Sequence, residues 1–282
     1  MTAAAMKALA LRAAHREGSP RMTDSLPAET VIYPDLAGQV AVVTGGSRGI
    51  GAATARALAA NRVAVAVTGR DRDAIAAVVE AIDSRGGRAI GVAADCTVEA
   101  DLEALHQQVN DQLGPIDVLA AFAGGDGMPV PTAAETAAHW RSVVESDLTS
   151  AFLTISAFLP DMIAAHSGVI ITMSSAAARQ AAQSSAAYAA AKAGVVAFSR
   201  HLARELAGAG IRANCIAPSA VENDKMRSWV PEERRKELGA GFPLGRLGQP
   251  HDVAAAALFL ASSASSWITG VTLDIAGGKV ML

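Results

Sequence analysis

The feature of this sequence that most constrains its fold is a regular alternation of short apolar runs with longer helical patterns. The apolar runs, rich in valine, isoleucine and alanine, lie at 40–44, 63–68, 89–94, 118–122, 169–174, 212–217 and 271–275. Strands that are apolar on both faces are typical of a parallel sheet covered by helices on each side. The alternation therefore predicts an α/β fold with a single doubly wound, Rossmann-type parallel sheet.

Helical patterns follow most of these runs. The predicted helices lie at 50–60, 73–84, 99–113, 135–165, 186–207 and 251–262. Since no change in composition interrupts residues 38–282, we predict that they form one domain. Residues 1–37 form an alanine-rich segment with scattered basic residues, and it ends in a stretch containing glycine and proline. It lacks the unbroken apolar stretch of a secretory signal, so a flexible N-terminal extension is favoured over a targeting peptide.

The overall charge and the few cysteines argue against several classes of function. A formal net charge of −3 gives no reason to expect the basic stripe that nucleic acids or anionic membranes require. No run approaches the ~18 consecutive apolar residues of a transmembrane helix. Cys96 and Cys215 lie far apart, as expected of two reduced thiols rather than a metal site or a disulfide. We therefore expect a cytoplasmic protein that binds no metal, nucleic acid or membrane.

A glycine-rich segment, TGGSRGIG (44–51), lies between the first predicted strand and the first predicted helix. Its glycines at positions 45, 49 and 51 permit a tight turn and let the backbone approach a phosphate closely. The free N–H groups and the dipole of the following helix attract the phosphate charge. A strand-to-helix turn alone also favours glycine, but the position after the first strand favours a phosphate-binding loop.

Tyr188 and Lys192 of the segment YAAAK lie four residues apart in a predicted helix, and so on the same face of it. A neighbouring lysine charge favours the ionised form of a phenol, which lets a tyrosine exchange protons near neutral pH. Ser175 lies 13 residues before Tyr188, at the end of a predicted strand. In a purely structural interpretation, Ser175 caps the strand end and Tyr188 is an aromatic residue at a helix start.

Together these motifs resemble those of the short-chain dehydrogenase/reductase family. The glycine segment has that family's T-G-x-x-x-G-x-G spacing, and the serine, tyrosine and lysine follow in its order. Further matching segments are LAGQVAVVT (36–44), FPLGRLGQP (242–250), ITG from Ile268 and DIAGG from Asp274. The resemblance extends over residues 36–282, and the C-terminal part is similar to that of the 3-oxoacyl-(acyl carrier protein) reductases and their relatives.

The resemblance implies an oxidoreductase that transfers a hydride between a nicotinamide cofactor and a carbonyl or secondary alcohol. Tyr188 would be the general acid/base, Lys192 would promote its ionisation and hold the nicotinamide ribose, and Ser175 would polarise the carbonyl. The implied cofactor-binding residues are Gly45, Ser47, Arg48, Gly49, Ile50, Gly51, Arg70, Asp95, Cys96, Ala123, Gly124, Tyr188, Lys192, Pro218, Val221 and Asn223.

The resemblance also implies a substrate and an assembly. The substrate would be a small carbonyl compound or alcohol, thioesters included, covered by a loop at 221–241. The family commonly forms homotetramers or homodimers, with the helices at 135–165 and 186–207 in one interface.

The choice of nicotinamide cofactor follows from the charges expected beside the adenosine ribose. An NAD(H) enzyme usually ends its second strand in an acidic residue, whereas this chain has Gly69 followed by Arg70. Arg48 provides a second guanidinium, and both would suit a 2′-phosphate. NADP(H) is therefore favoured over NAD(H). The alternative is that both arginines are ordinary surface residues, with Asp71 neutralising Arg70.

Two departures from the family pattern concern the site. The family's Asn-Asn after the fourth strand, which hydrogen-bonds the sheet to the cofactor floor, is replaced by Ala121-Phe122, where packing must substitute. An asparagine whose main-chain carbonyl holds a water leading to the lysine is replaced by Asp147. We keep Asp147 in the predicted catalytic set. Either its carboxylate lies beside Lys192 and offsets the lysine charge, or it points away and only its main chain matters.

These departures leave a second hypothesis open beside the active oxidoreductase. The chain would then be a cofactor-binding member of the family with weak or no turnover, acting as a sensor or an assembly subunit.

Overall fold

The computed structural model describes residues 31–125 and 127–282. Within them, seven parallel strands form one sheet in the order β3-β2-β1-β4-β5-β6-β7. The strands are β1 (Val40–Val43), β2 (Ala64–Gly69), β3 (Arg88–Ala93), β4 (Val118–Ala121), β5 (Gly168–Met173), β6 (Ile211–Pro218) and β7 (Thr272–Ile275). Each strand begins and ends within one residue of a predicted apolar run. The predicted doubly wound parallel sheet is therefore confirmed.

Helices cover both faces of this sheet. They are α1 (Gly49–Ala60), α2 (Arg72–Asp83), α3 (Glu99–Gln112), α4 (Ala137–Val144), α5 (Ser150–Ala165), α6 (Ala186–Leu206), α7 (Asp224–Trp229), α8 (Glu232–Ala240) and α9 (Pro250–Ala261). Two features differ from the prediction. A wide turn divides the predicted helix at 135–165, and α7 and α8 occupy the predicted loop at 221–241. The charged sequences of these two short helices lack the apolar periodicity that indicates a helix.

Alternate residues of a strand pack on opposite faces of the sheet, as β1 illustrates. Ala41 and Val43 belong to a core shared with α1, α2 and α9, whereas Val40 and Val42 belong to a second core shared with α3, α5 and α6. Because both faces are covered by apolar side chains, polar side chains find room to act beyond the strand ends. The functional site is therefore expected there.

The wide turn, Glu145–Thr149, joins α4 to α5 with π-helical hydrogen bonds. We call it the π turn. It holds Asp147, whose side chain is buried. A π turn adds one residue to a helical turn and is frequent at functional sites.

The combined helical segment Ala137–Ala165 is long and apolar enough to cross a membrane, with a mean hydropathy of 1.5 in its most apolar window. The core helix of a protein outside the membrane can pass the same test. Here α4 and the π turn pack against α6, and a buried carboxylate interrupts the segment. These contacts fit a helix packed within the domain.

Residues 31–37 pack against the domain, although they belong to the predicted N-terminal extension. Leu36 is fully buried in a short 3₁₀ turn, Pro34–Leu36. The buried Asn61 side chain accepts a hydrogen bond from the Tyr33 N–H at 2.6 Å and donates one to the Val31 carbonyl at 3.1 Å. The packed domain therefore begins before residue 38. The rest of the predicted extension, residues 1–30, lies outside the described residues.

Thr44 joins the carboxyl ends of β1 and β4. Its side chain is fully buried, and its Oγ1 accepts hydrogen bonds from the N–H groups of Phe122 at 2.9 Å and Ala123 at 3.1 Å. Its own N–H donates to the Ala120 carbonyl at 3.0 Å. One hydroxyl thus satisfies two backbone groups where β4 turns away from the sheet.

Thr44→Val should destabilise the protein, because a buried N–H group that loses its acceptor costs about 1–3 kcal/mol. The free energy of unfolding, measured by urea titration, should fall by about 1–3 kcal/mol. Thr44→Ser is the matched control, since it keeps the hydroxyl and should lie much closer to the wild type. Equal losses in the two variants would show that the methyl group, rather than the hydroxyl, carries the contribution of Thr44.

Candidate active site

The turn from β1 into α1 brings the backbone of the glycine segment close to the end of β4. A Cβ on Gly45 would lie 2.9 Å from the Phe122 carbonyl oxygen, and one on Gly51 would lie 2.2 Å from the Gly45 oxygen. Gly45 also has a positive φ of 63°. Glycine fits these positions without strain, whereas a larger residue would push the loop away. The N-terminal N–H groups of α1 thereby reach the strand ends, an arrangement that binds phosphate groups.

A cleft of about 730 Å³ opens beside this turn, where the strand order reverses between β1 and β4. Doubly wound sheets bind their ligands at such a switch point. The predicted cofactor residues in its lining are Gly45, Ser47, Arg48, Arg70, Asp95, Cys96, Ala123 and Gly124. The fold thus brings residues from separate segments of the chain to one cavity.

Several lining residues are absent from the predicted set. They are Gly69, Asp71, Ala94, Thr97, Gly125, Ser142, Glu145, Ser146 and Ser150. The last four lie on α4, the π turn and the start of α5. Ser142, Ser146 and Ser150 recur at intervals of four residues, which predicts one helical face. This spacing is the signal from which the sequence could have identified them.

Arg48 and Arg70 lie at one end of the cleft, each beside an acidic residue. The Arg48 guanidinium lies 2.8 Å from the Asp71 carboxylate, and that of Arg70 lies 3.9 Å from the Asp95 carboxylate. Asp71 thus pairs with Arg48, not with Arg70 as the surface alternative supposed. The Arg70 side chain is 82% exposed, so its contact is loose and the guanidinium is available to a ligand.

Gly69 leaves space between these arginines and the glycine segment. A Cβ at this position would lie 3.2 Å from the Ser47 hydroxyl oxygen. A longer acidic side chain would therefore crowd Ser47 and occupy the cleft. The absence of a side chain here leaves this part of the cleft open beside Ser47.

Asp95 and Cys96 follow β3 and line the same end of the cleft. Hydrogen bonds from the Thr97 backbone N–H and hydroxyl lower the pKa of Asp95. Burial raises the pKa of the Cys96 thiol to about 11. The cleft therefore presents a fixed carboxylate and a neutral thiol here. Together with the glycine backbone and the arginines, this donor set fits a nicotinamide dinucleotide.

Three of the four predicted catalytic side chains, those of Ser175, Tyr188 and Lys192, are positioned by β5 and α6. Ser175 lies just past β5, and its Oγ accepts a hydrogen bond from the Ala177 N–H at 3.2 Å. Tyr188 lies in the first turn of α6, where Ser185 caps the helix by accepting its N–H at 3.1 Å. The ring of Tyr188 is covered by Gly127, on which a Cβ would lie 3.2 Å from the tyrosine Cε1.

Lys192 lies one turn after Tyr188, with its side chain buried. Its Nζ lies 5.8 Å from the centre of the Tyr188 ring and donates to the Met173 carbonyl at 3.0 Å. The Ser174 hydroxyl donates to the Lys192 carbonyl at 2.8 Å. These bonds fix the lysine to the end of β5, so that its charge faces the phenol.

The Asp147 carboxylate points toward Lys192. Its Oδ1 lies 2.9 Å from Nζ, and both side chains are almost fully buried. Of the two orientations that the sequence left open, the structure has the one in which the carboxylate faces the lysine.

Ala121 and Phe122 are both buried where the family has two asparagines. Phe122 joins the core formed with α1, and its N–H is accepted by Thr44. Apolar packing and a threonine hydroxyl therefore hold this end of β4.

Several other predicted cofactor residues lie outside the lining of the described cleft. They are Gly49, Ile50, Gly51, Tyr188, Lys192, Pro218, Val221 and Asn223. Pro218 ends β6, and Val221 forms a bridge to Gly248. The Asn223 side chain caps α7 by accepting the Met226 N–H at 2.8 Å. A polar contact from Asn223 to a ligand would have to compete with this cap.

The neighbouring Glu222 ties the segment after β6 together. Its carboxylate lies 3.2 Å from the Arg227 guanidinium and 3.1 Å from that of Arg235, and it accepts a hydrogen bond from Gln249 at 2.8 Å. Helices α7 and α8 are thereby held to the base of α9.

Comparison with known proteins agrees with this architecture. A family model described as enoyl-(acyl carrier protein) reductase, from the short-chain dehydrogenases/reductases, matches residues 45–279. The 3-oxoacyl-(acyl carrier protein) reductase of Chlamydia pneumoniae is 37% identical over 245 residues, 86% of this chain and 97% of that protein. The cis-4-hydroxycyclohexanecarboxylate dehydrogenase of Sinomonas cyclohexanicum is 40% identical over 243 residues, 86% of this chain and 97% of that protein.

A solved structure has a closely similar fold. It is a 7α-hydroxysteroid dehydrogenase in complex with NADH and 7-oxo glycochenodeoxycholic acid, with a TM-score of 0.82 and 35% identity over 89% of this chain and 97% of that one. The sheet order, the glycine turn at the switch point and these similarities lead to one conclusion. The chain belongs to the short-chain dehydrogenase/reductase family, whose members are oxidoreductases.

Proposed function

We propose that this protein is an NADP(H)-dependent oxidoreductase that interconverts a carbonyl group and a secondary alcohol, in the manner of the 3-oxoacyl reductases. The observation that carries the proposal is the placement of the buried Lys192 charge 5.8 Å from the Tyr188 ring, beside the end of β5 that Ser175 follows. A phenol next to a buried ammonium is suited to proton exchange near neutral pH.

Each of the three side chains has a separate part in the reaction. When bound, the nicotinamide supplies the hydride for carbonyl reduction or accepts it in alcohol oxidation. As the carbonyl carbon gains the hydride, Tyr188 gives its hydroxyl proton to the substrate oxygen and becomes a phenolate. Lys192 stabilises that negative charge, and the Ser175 hydroxyl donates a hydrogen bond to the same oxygen. In oxidation, the phenolate takes the alcohol proton.

NADP(H) is the cofactor that the charges of the cleft support best. Ser47, Arg48 and Arg70 line the same cleft as Gly69, where the lack of a side chain leaves space beside Ser47. A 2′-phosphate there would receive charge-assisted hydrogen bonds from two guanidinium groups. The solved steroid dehydrogenase binds NADH, and a comparison of NADPH with NADH as cofactors tests the proposal for this chain.

The related proteins suggest a substrate class. By their names, they act on a 3-oxoacyl group carried by acyl carrier protein, a hydroxylated cyclohexane carboxylate and a bile-acid steroid. The shared chemistry is a ketone or secondary alcohol on an apolar skeleton. We propose the same class here, with walls formed by residues 124, 125 and 127–131 and by α7 and α8.

A second candidate function is cofactor binding with weak or no turnover, as in a sensor or an assembly subunit. The contact between Asp147 and Lys192 favours it, because the carboxylate competes with the phenol for the lysine charge. Nicotinamide absorbance followed with a panel of ketones and secondary alcohols separates the two. Turnover supports the oxidoreductase, whereas tight NADPH binding without turnover supports the sensor.

The assembly proposed for the protein is a cytoplasmic homodimer or homotetramer. The segment Ala137–Ala165 carries three large apolar side chains that are exposed in one subunit, Trp140, Phe152 and Ile163. Only 33% of its most apolar window is buried. An apolar helix face of this kind marks an interaction surface, and we propose a second copy of the chain as its partner.

Tyr188→Phe should lower kcat by at least ~10²-fold, the usual loss when an acid/base group is removed. The dissociation constant for NADPH, measured by fluorescence, should stay nearly unchanged, because only the hydroxyl is lost. Normal turnover by this variant would rule out tyrosine chemistry.

Arg70→Ala should lower kcat/KM for NADPH by about 10- to 100-fold, which corresponds to one lost charged hydrogen bond. The same constant for NADH should hardly change, since NADH lacks the 2′-phosphate. Arg72→Ala, which removes an exposed arginine outside the cleft lining, is the matched control. Equal losses with both cofactors would show that Arg70 does not bind the 2′-phosphate.

Phe152→Glu should break the proposed subunit interface, because it places a charge on a side chain that is 51% exposed in one subunit and would be buried in the dimer. Light scattering coupled to gel filtration should give a lower mass than for the wild type. Leu238→Glu makes the same change at an exposed site on α8 and should keep the wild-type mass. An unchanged mass for Phe152→Glu would exclude this face as the interface.

A further inference from the structure

The buried Asp147 carboxylate contacts three different parts of the site. Its Oδ1 accepts a hydrogen bond from the Gly125 N–H at 2.7 Å and lies 2.9 Å from the Lys192 Nζ. Its Oδ2 accepts one from the Ser146 hydroxyl at 2.8 Å. One side chain thus joins the loop after β4, the catalytic helix α6 and the π turn.

The loop after β4 closes directly over this carboxylate. Gly124 has a φ of 115°, and a Cβ on it would lie 2.7 Å from the Asp147 Oδ1. A glycine is therefore needed at a position that also lines the cofactor cleft. The position of the Asp147 carboxylate therefore limits how deeply Gly124 can lie in this part of the cleft.

The Lys192 ammonium group has two polar contacts within the protein itself. Its Nζ donates a hydrogen bond to the Met173 carbonyl and forms an ion pair with the Asp147 carboxylate. The carboxylate lies within contact distance of the lysine ammonium, and both side chains are almost fully buried.

We propose that Asp147 is a positioning residue whose carboxylate holds Lys192 and the Gly124–Gly125 loop together and offsets the lysine charge. Tyr188 then ionises at a higher pH than it would with an uncharged amide at position 147. The proposal rests on the proposed function for its catalytic meaning, but the ionisation of Tyr188 can be measured without turnover.

The other charged and titratable groups around the pair are few among the described residues. On β6, burial raises the pKa of the Cys215 thiol, so that it stays neutral beside Lys192. Glu145 on the π turn is exposed to the cleft and to solvent. At the end of β5, Met173 and the following Ser174 contribute a carbonyl and a hydroxyl rather than charges. Asp147 is therefore the buried charge best placed to oppose the lysine.

The chain has only two tyrosines, Tyr33 and Tyr188, which makes a direct measurement possible. In a Tyr33→Phe background, the ultraviolet absorbance of tyrosinate reports Tyr188 alone. The three tryptophans also absorb but do not titrate. The pH at which half of the tyrosinate signal develops then measures the ionisation of this phenol in the folded protein.

In this background, Asp147→Asn should move the tyrosinate midpoint to lower pH by about one unit. Asparagine keeps an oxygen to accept from Gly125 and Lys192, so a purely structural role would leave the midpoint in place. The pH–rate profile of alcohol oxidation should move in the same direction, with KM for the cofactor unchanged. Asp111→Asn, the same change at an exposed position of α3, is the control and should move neither.

Ser146→Ala provides a second variant if Asp147→Asn fails to fold. It removes the hydroxyl that donates to Oδ2, so the carboxylate opposes Lys192 more strongly and the midpoint should rise. Unchanged midpoints in the folded variants would overturn the proposal. A shifted midpoint in a protein that turns over no carbonyl substrate would support the ion pair while contradicting the proposed function, so the two failures are distinguishable.

Discussion

Coverage of the sheet on both faces is the constraint from which the rest of this structure follows. Every strand between β1 and β6 packs apolar side chains against helices above and below, so a polar group in the sheet would be buried without water. Polar chemistry is thereby confined to the strand ends. Thr44, Ser175 and the cofactor cleft all lie at the carboxyl ends, where the loops diverge and the order of the strands reverses.

The same constraint explains which parts of the molecule the sequence could predict. A strand buried on both faces must be apolar wherever its side chains lack the hydrogen-bond partners that Thr172 and Asn214 have. A residue whose backbone touches a neighbouring strand end, such as Gly45, must lack a side chain. Both requirements are visible in the residues, as in the run at 40–44 and in Gly45. The predicted sheet and most of the predicted helices are therefore confirmed, and half of the predicted cofactor residues line one cleft at the switch point.

Other features depend on geometry that no local pattern records. Helices α7 and α8 are held by ion pairs to Glu222 rather than by an apolar face, so periodicity does not mark them. Asp71 pairs with Arg48 across a turn, which its position next to Arg70 in the sequence conceals. The direction of the Asp147 side chain depends on a π turn, and a single extra residue in a helix leaves no signature in composition or spacing.

The π turn has a consequence for how this surface tolerates sequence change. The extra residue is accommodated within the π turn, so α4 and α5 each keep a regular α-helical period. The Asp147 side chain inside the turn points toward Lys192. Substitutions on the exposed face of α5, such as at Phe152 in the proposed subunit interface, can therefore alter the assembly without redirecting Asp147. A deletion within the turn would have the opposite effect, since the helix could close into a regular spiral that no longer presents a carboxylate to the lysine. The exposed face of α5 and the direction of the Asp147 side chain can thus change independently, so that evolution can alter one while it preserves the other.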